Sequence, residues 1–166
     1  ETITLFERRF KMITGMWHVS FTVSNIDRSI EFYRDVLGLK LVHTQTQNNE
    51  YTRKLVGYED AHLKVAMFDI EGKNDGPSGH FLELVEYVSP EGEHVPIGTA
   101  HTRSAHLAFI VSNIHETVEK LKDKGVLFKS EVVSIEAGRN KGGYTVYFLD
   151  PDGITLELVQ RIFART

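Results

Sequence analysis

Apolar and polar positions alternate along one nine-residue stretch that the chain contains twice. The stretch reads HVSFTVSNI over residues 18–26 and HLAFIVSNI over residues 106–114. In both copies apolar residues occupy every second position after the histidine, which is the period of a β-strand with one buried face. Helical periodicity follows in each case. The repeated stretch therefore predicts a strand that leads into a helix.

The remainder of each copy predicts three further strands. The helices are expected over about 27–37 and 115–124, where Gly38 and Gly125 end them. The strands are expected near 39–47, 62–70 and 80–88, and near 127–134, 143–149 and 154–161. A second shared tetrapeptide, LELV, follows in the same order, at 82–85 and 156–159. The pattern predicts an α+β fold built from two βαβββ modules.

The repeat also suggests how the chain is divided. Residues 15–89 and 104–166 are the expected modules, and residues 90–103, with two prolines and two glycines, are the expected linker. Residues 1–14 precede the repeat and carry apolar residues at helical spacing. We expect a helical N-terminal extension there, with a role in packing or dimerisation.

Composition narrows the classes of function. Hydrophobic residues make up 41% of the chain and charged residues 25%, as in folded domains. A net charge of -4 gives no support for nucleic acid or an anionic membrane as partner. The chain has no cysteine, which excludes disulfides and thiolate metal sites. No apolar run approaches the roughly 18 residues of a membrane span, and no signal-peptide pattern is present. We expect a cytoplasmic protein with a small-molecule partner.

Strand alternation places four ionisable side chains on the face that the helices leave uncovered. His18 and His106 each open a strand whose next apolar residue faces the helix, so each histidine points the other way. Glu83 and Glu157 each lie between two leucines that face the helix. If the two half-sheets close on each other, all four side chains converge in one cavity.

Two imidazoles and two carboxylates form a plausible metal-binding set. A carboxylate on a partly enclosed face is costly unless it is paired, hydrogen-bonded or bound to a cation. These donors suit one divalent ion, Zn, Ni, Co, Mn or Fe(II), and four protein ligands leave room for water or substrate. Taken alone, a histidine of this kind is more often a hydrogen-bonded strand histidine, and a glutamate is more often a surface carboxylate. Their equivalent places in the repeat favour a shared metal.

Several stretches resemble a known superfamily. HVSFTVSNIDRSIEFYRDVLGLKLV, GHFLELVEY, AHLAFIVSNI and VYFLDPDGITLELVQ are similar to sequences of the vicinal oxygen chelate superfamily. That group holds glyoxalase I, methylmalonyl-CoA epimerase, extradiol dioxygenases and the fosfomycin and bleomycin resistance proteins. The resemblance covers about residues 16–161. It implies paired βαβββ modules around a U-shaped, mixed-sheet metal cavity, with ligands at His18, Glu83, His106 and Glu157, and it suggests a homodimer.

The resemblance also implies a reaction. In this superfamily a divalent metal acts as a Lewis acid on an enediolate or enolate oxygen, so the proton α to a carbonyl becomes removable. Glu157 would move that proton, and Glu83 could serve the opposite face of the carbon. The full His/Glu/His/Glu set is similar to that of glyoxalase I, whereas the epimerase resemblance would place glutamine at position 83. We expect a metal-dependent isomerase, epimerase or lyase acting on a carbonyl substrate.

Two positions depart from the glyoxalase I pattern. That enzyme has an arginine four residues after its first ligand, which holds a glutathione carboxylate, and this chain has Thr22 there. The second arginine of glyoxalase I lies just before its third ligand. Arg103 could correspond to it but is one place out of register. Threonine cannot make the bidentate contact of an arginine. We therefore do not expect glutathione as the thiol carrier.

Two alternative functions remain open at this point. An Fe(II)-dependent ring-cleaving dioxygenase is suggested by residues 146–157, which fit the second half of the extradiol signature. The catalytic histidine of that signature is missing from positions 138–140, which read Gly-Arg-Asn. A small-molecule binding or resistance protein is the other alternative, although drug-sequestering members lack the metal set.

Five further residues are candidate substrate contacts. Tyr87 shares the strand phase of Glu83 and would line the cavity. The candidates to hold a substrate anion are His101 and Arg103 in the linker, and Arg139 and Lys141 in a loop of the second module. A solvated surface position is the alternative explanation for each of these four.

Overall fold

The computed structural model describes residues 12–13, 15–70 and 80–162. The helix predicted over residues 1–14 falls almost wholly outside these ranges. Within them, no helix is long and apolar enough to cross a membrane.

The first half of the chain forms a four-stranded mixed sheet. Its strands are β1 (His18–Thr22), β2 (Lys40–Gln47), β3 (His62–Asp69) and β4 (Phe81–Ser89). They lie in the order β1-β4-β3-β2, with β1 parallel to β4 and the other pairs antiparallel. Helix α1 (Ile26–Glu31) follows β1 and continues as a π-helical turn over Phe32–Val36.

A second helix in this half was not predicted from the sequence. Helix α2 spans Glu50–Val56, between β2 and β3. The side chain of Asn49 accepts a hydrogen bond from the backbone N–H of Thr52, and Gly57 ends the helix in a left-handed conformation with φ of 79°. These capping residues compensate for a helix of less than two full turns.

The second half forms an equivalent mixed sheet, in which the strands at one edge are shorter. Its strands are β5 (Leu107–Ile110), β6 (Leu127–Phe128), β7 (Val133–Ser134), β8 (Tyr144–Leu149) and β9 (Thr155–Gln160), and helix α3 spans Ile114–Asp123. The order is β5-β9-β8-β6, with β7 also paired to β8 and β5 parallel to β9. The single strand predicted over 127–134 is thus two short strands. The α+β class with two mixed sheets is confirmed, and the module boundaries remain a proposal.

Both helices that follow a first strand begin in the same way. The side-chain oxygens of Asn25 and Asn113 each accept a hydrogen bond from the backbone N–H three residues further on. Glu86 and Gln160, at equivalent places after the two LELV stretches, each accept a bond from the first backbone N–H of the helix. Each helix is therefore capped by its own strand and by the strand paired with it.

The helix-covered faces of both sheets meet in one apolar core. Tyr33, Phe68 and Phe148 are its largest fully buried side chains. The same cluster contains buried residues of both sheets and both helices: Val23, Ile26, Ala66, Leu82, Leu84, Ile114, Val118, Leu121, Val126, Val146, Leu156 and Leu158. Because these faces pack on each other, the opposite faces of the two sheets point away from the core.

Polar contacts also join the two halves beside this core. Asp152, in the turn between β8 and β9, accepts hydrogen bonds from the backbone N–H of Ser24 at 3.0 Å, from the Ser24 hydroxyl and from Arg28. The Tyr33 hydroxyl donates to Asp150 Oδ2 at 3.1 Å. Burial, followed by the nearby charge of Asp150, raises the pKa of Tyr33 well above its usual range, so the phenol keeps its proton.

Replacing Tyr33 by phenylalanine tests the buried hydrogen bond. The ring fits the same space, but Asp150 loses a donor, and hydrogen bonds to charged groups are worth about 1.5–3 kcal/mol. We expect the free energy of unfolding in urea to fall by an amount of that order. Tyr51→Phe, at a side chain 64% exposed, is the matched control and should leave it unchanged. Equal stability of the two variants would contradict the assignment.

The Asp152 contacts make a pH-dependent contribution to stability. Burial alone would raise the pKa of Asp152, but the hydrogen bonds from Ser24 and the charge of Arg28 outweigh it and lower the pKa. A lowered pKa stabilises the fold above the ordinary value of 3.8 and loses that contribution as the pH falls through the folded value. We expect the thermal midpoint of the wild type to exceed that of Asp152→Asn at neutral pH, and the difference to shrink in acid. A difference that grows on acidification would refute this.

Candidate functional site

His18 and Glu83, two of the four predicted metal ligands, lie beside each other. His18 opens β1 and Glu83 lies on the adjoining strand β4. His18 Nε2 and Glu83 Oε2 are 3.5 Å apart, and the side chains are 35% and 21% exposed. Leu82 and Leu84, on either side of the glutamate, are fully buried. The strand phase predicted from the sequence therefore holds, and the pair lies on the open face of the first sheet.

The second pair has the same form in the other sheet. His106 immediately precedes β5, and Glu157 lies on the adjoining strand β9. His106 Nε2 and Glu157 Oε2 are 3.1 Å apart, and the side chains are 42% and 15% exposed. Leucines on both sides of Glu157 are again buried.

The two pairs occupy equivalent places in the strand register. In the first sheet Ser20, two residues after His18, lies opposite Glu83. In the second sheet Ala108, two residues after His106, lies opposite Glu157. Each histidine therefore reaches its glutamate across the same diagonal of a parallel strand pair. The repeat seen in the sequence is also a repeat of local geometry.

Each pair has the spacing of two ligands of one metal ion. Donor atoms about 2.0–2.2 Å from an ion, at tetrahedral or octahedral angles, lie about 3.0–3.5 Å from each other. The separations of 3.5 Å and 3.1 Å fit this range. Neutral imidazole and carboxylate are also suitable donors for the divalent metals named above. The residues present thus fit a metal, with each pair supplying half of a four-ligand set.

The four side chains do not meet within one chain. No group of three or more His, Cys, Asp or Glu side chains in the described ranges is arranged to hold a metal ion. The expected closure of the half-sheets around the pairs is not seen, because the sheets turn their helix-covered faces towards each other. In the described ranges β1 and β5 are the outermost strands of their sheets, so the histidine of each pair instead lies at a sheet edge. The assignment of all four residues to one metal remains a prediction.

Two residues beside the second pair were not predicted from the sequence as part of the site. Tyr147 lies opposite Glu157 in the β8–β9 register, and its ring centroid is 5.1 Å from that of His106. Thr145, two residues earlier, donates a short hydrogen bond to Glu157 Oε1. Strand phase along β8 was the available signal, because alternate residues on neighbouring strands share a face.

Of the predicted substrate contacts, Tyr87 has a position consistent with the prediction. It lies on β4 in the same phase as Glu83, and its partly buried ring packs edge-on against Tyr58 at a centroid distance of 6.1 Å. The role of Tyr87 in binding remains a prediction.

The four candidate anion contacts are exposed. His101 and Arg103 lie in the turn before His106, where Arg103 has a left-handed φ of 78°. Arg139 and Lys141 lie in the loop between β7 and β8. No hydrogen bond or ion pair in the described part of the chain joins any of them to either His–Glu pair. Their assignment as substrate contacts remains a prediction.

A family model agrees with this duplicated arrangement. The model of the Glyoxalase/Bleomycin resistance protein/Dioxygenase superfamily matches residues 15–158, which include both His–Glu pairs. The chain belongs to this superfamily. The resemblance inferred from the sequence is confirmed, and so is the α+β fold with two mixed sheets.

Curated members of the superfamily align over most of the chain. A lactoylglutathione lyase of Haemophilus influenzae is 34% identical over 147 residues, which cover 86% of this chain and 90% of that protein. A 2-epi-5-epi-valiolone epimerase of an Actinomyces species is 32% identical over 146 residues, covering 86% of this chain and 76% of that protein. Relatives named as a lyase and an epimerase support an enzyme of glyoxalase-like function.

A solved structure in the superfamily shares the fold at lower sequence identity. A glyoxalase family protein of Bacillus cereus superimposes with a TM-score of 0.78 at 21% identity, over 93% of this chain and 99% of its own. This similarity bears on the arrangement of the sheets and helices.

Proposed function

We propose that this protein is a metal-dependent isomerase, epimerase or lyase that transfers a proton α to a carbonyl group. The observation that carries the proposal is the pair of His–Glu contacts at the same register on two duplicated sheets. Relatives named as a lactoylglutathione lyase and an epimerase support the same class. The substrate would be a small carbonyl compound.

The four residues of the two pairs would hold one divalent ion, which can be Zn, Ni, Co, Mn or Fe(II). When bound, such an ion acts as a Lewis acid on a carbonyl oxygen, which makes the neighbouring C–H more acidic. His18 and His106 would serve as neutral donors. Glu83 and Glu157 would bind and also accept or return the substrate proton, as positioned carboxylates do in acid–base catalysis.

A second copy of the chain would complete the site. Among the described strands, one chain presents the two half-sets beside separate sheet edges, β1 and β5. In a two-fold dimer the β1 edge of one copy can lie beside the β5 edge of the other, and the symmetry then forms two identical four-ligand sites. Trp17 next to β1 and Ile110 on β5 are 53% and 62% exposed, and this contact would cover both. A homodimer is therefore part of the proposal.

The substrate would differ from a glutathione adduct in how it is held. Thr22 stands exposed on the open face of β1, at the place where glyoxalase I has its glutathione-binding arginine. A threonine hydroxyl offers no bidentate, charged contact to a carboxylate. Any substrate anion would instead meet Arg103, His101, Arg139 or Lys141, and Tyr87 would line the apolar wall.

Complementation between two inactive variants tests the shared site. One double variant carries His18→Gln and Glu83→Gln, and the other carries His106→Gln and Glu157→Gln. Neither should bind a stoichiometric divalent metal alone. After co-expression, mixed dimers join the intact first half of one chain to the intact second half of the other. Random pairing restores about a quarter of the wild-type sites, measured as metal per chain without a metal-affinity tag.

The outcomes of this mixing experiment separate the possible arrangements. A wild-type chain that binds no divalent metal would refute the metal site. A wild type that binds metal, together with mixed dimers that bind none, would refute the site between copies. Size-exclusion chromatography with light scattering on the same samples checks that the mixed dimers have formed.

Proton exchange tests the reaction class. We expect the wild type with Ni or Co to exchange the α-hydrogen of a suitable 2-oxo acid, α-hydroxythiohemiacetal or acyl-CoA thioester for solvent deuterium, followed by proton NMR. Glu83→Gln and Glu157→Gln should each slow exchange by about 10²-fold or more, because a positioned acid–base group contributes about 10²–10⁴-fold.

The control variant for the exchange assay has the same glutamate-to-glutamine replacement at a position away from both His–Glu pairs. Glu136→Gln, in an exposed loop, should exchange like the wild type. Reactions are run in parallel without oxygen and with oxygen plus Fe(II). Activity that strictly needs Fe(II) and oxygen, with ring cleavage of a catechol, would overturn the isomerase assignment and support the dioxygenase alternative. Unchanged exchange in both glutamate variants would also contradict the proposal.

A further inference from the structure

The two glutamates of the proposed site have different surroundings despite their equivalent places. Glu157 Oε1 accepts a short hydrogen bond from the Thr145 hydroxyl. That hydroxyl also lies 3.0 Å from the backbone carbonyl of Leu158. It has a single proton, and a carboxylate is the stronger acceptor, so the proton is directed to Glu157.

The first sheet contains an internal comparison for this contact. Thr145 lies opposite Val159, two residues after Glu157 on β9. The corresponding residue in the first sheet is Val65, which lies opposite Val85, two residues after Glu83. Valine has the shape of threonine without its hydroxyl and cannot donate to Glu83. Within the described residues, the Glu83 side chain has a polar contact with His18 alone.

We infer that Thr145 is a positioning residue that holds the Glu157 carboxylate in a fixed orientation and so makes the two halves of the site inequivalent. The inference rests on the proposed metal site. The fixed carboxylate is suited to remain a ligand, since groups that orient a ligand strengthen metal binding. In the described part of the chain Glu83 has no such donor, so its orientation is less restricted than that of Glu157.

Removal of the Thr145 hydroxyl tests the inference by metal affinity. Calorimetric titration of the metal-free protein with Co(II) should give a dissociation constant about tenfold higher for Thr145→Val, because loss of a group that orients a metal ligand costs about 10–100-fold. Thr145→Ser keeps the hydroxyl and should restore the wild-type constant. The visible absorption of bound Co(II), which reports ligand geometry, should change in the valine variant and return in the serine variant.

A matched control removes a hydroxyl from another strand. Thr44→Val makes the same replacement at an exposed position of β2, and should bind Co(II) like the wild type. Thr145→Ala gives a second variant without the hydroxyl, should the valine variant fail to fold. Circular dichroism is used to confirm that each protein compared is folded.

The outcomes distinguish this inference from the proposed function. A wild type that binds no Co(II) refutes both. If the wild type binds Co(II), and Thr145→Val and Thr145→Ala bind it equally tightly, the positioning role is refuted and the metal site stands. Weakened binding in Thr145→Ser as well as in Thr145→Val would assign the effect to packing and would also overturn the inference.

Discussion

The apolar contact between the two helix-covered sheet faces determines the rest of this structure. Each sheet buries one face beneath its own helix, and those layers meet in one core around Tyr33, Phe68 and Phe148. Apolar burial is the dominant favourable term in folding and has no directional preference. Here it orients the sheets back to back. The His–Glu pairs of both modules are consequently left on the outward faces, each between an edge strand and the strand beside it in the described sheets.

The repeat creates symmetry, and particular substitutions break it. Both helices are capped by an asparagine and by a polar side chain from the paired strand, although one half uses Glu86 and the other Gln160. Both histidines contact a glutamate across the same diagonal, although only the second glutamate faces a threonine. Duplication thus supplies two copies of a binding geometry. Single residues on the neighbouring strands then allow the copies to take different roles.

Most of the fold and the placement of the two histidines and two glutamates on the uncovered sheet faces could be predicted from the sequence, because strand alternation and the shared stretches carry that information. The helix-capping residues Asn25 and Asn113 also lie within the shared stretches. Helix α2 was not predicted because its seven residues are too few to show a clear helical periodicity. The relation between the two sheets was also missed. Alternation says which residues share a face of one sheet, but it does not say whether two sheets meet by their open or their covered faces.

The contacts of Asp152 have a consequence for how the chain folds while it is being synthesised. This turn residue binds Ser24 and Arg28, and its bond to Ser24 spans 128 positions of sequence. Closing so long a loop costs conformational entropy before any contact compensates for it. During synthesis, the covered face of the first sheet can therefore complete its packing only after β8 and β9 have left the ribosome. Until then its apolar surface is exposed to chaperones and to other nascent chains.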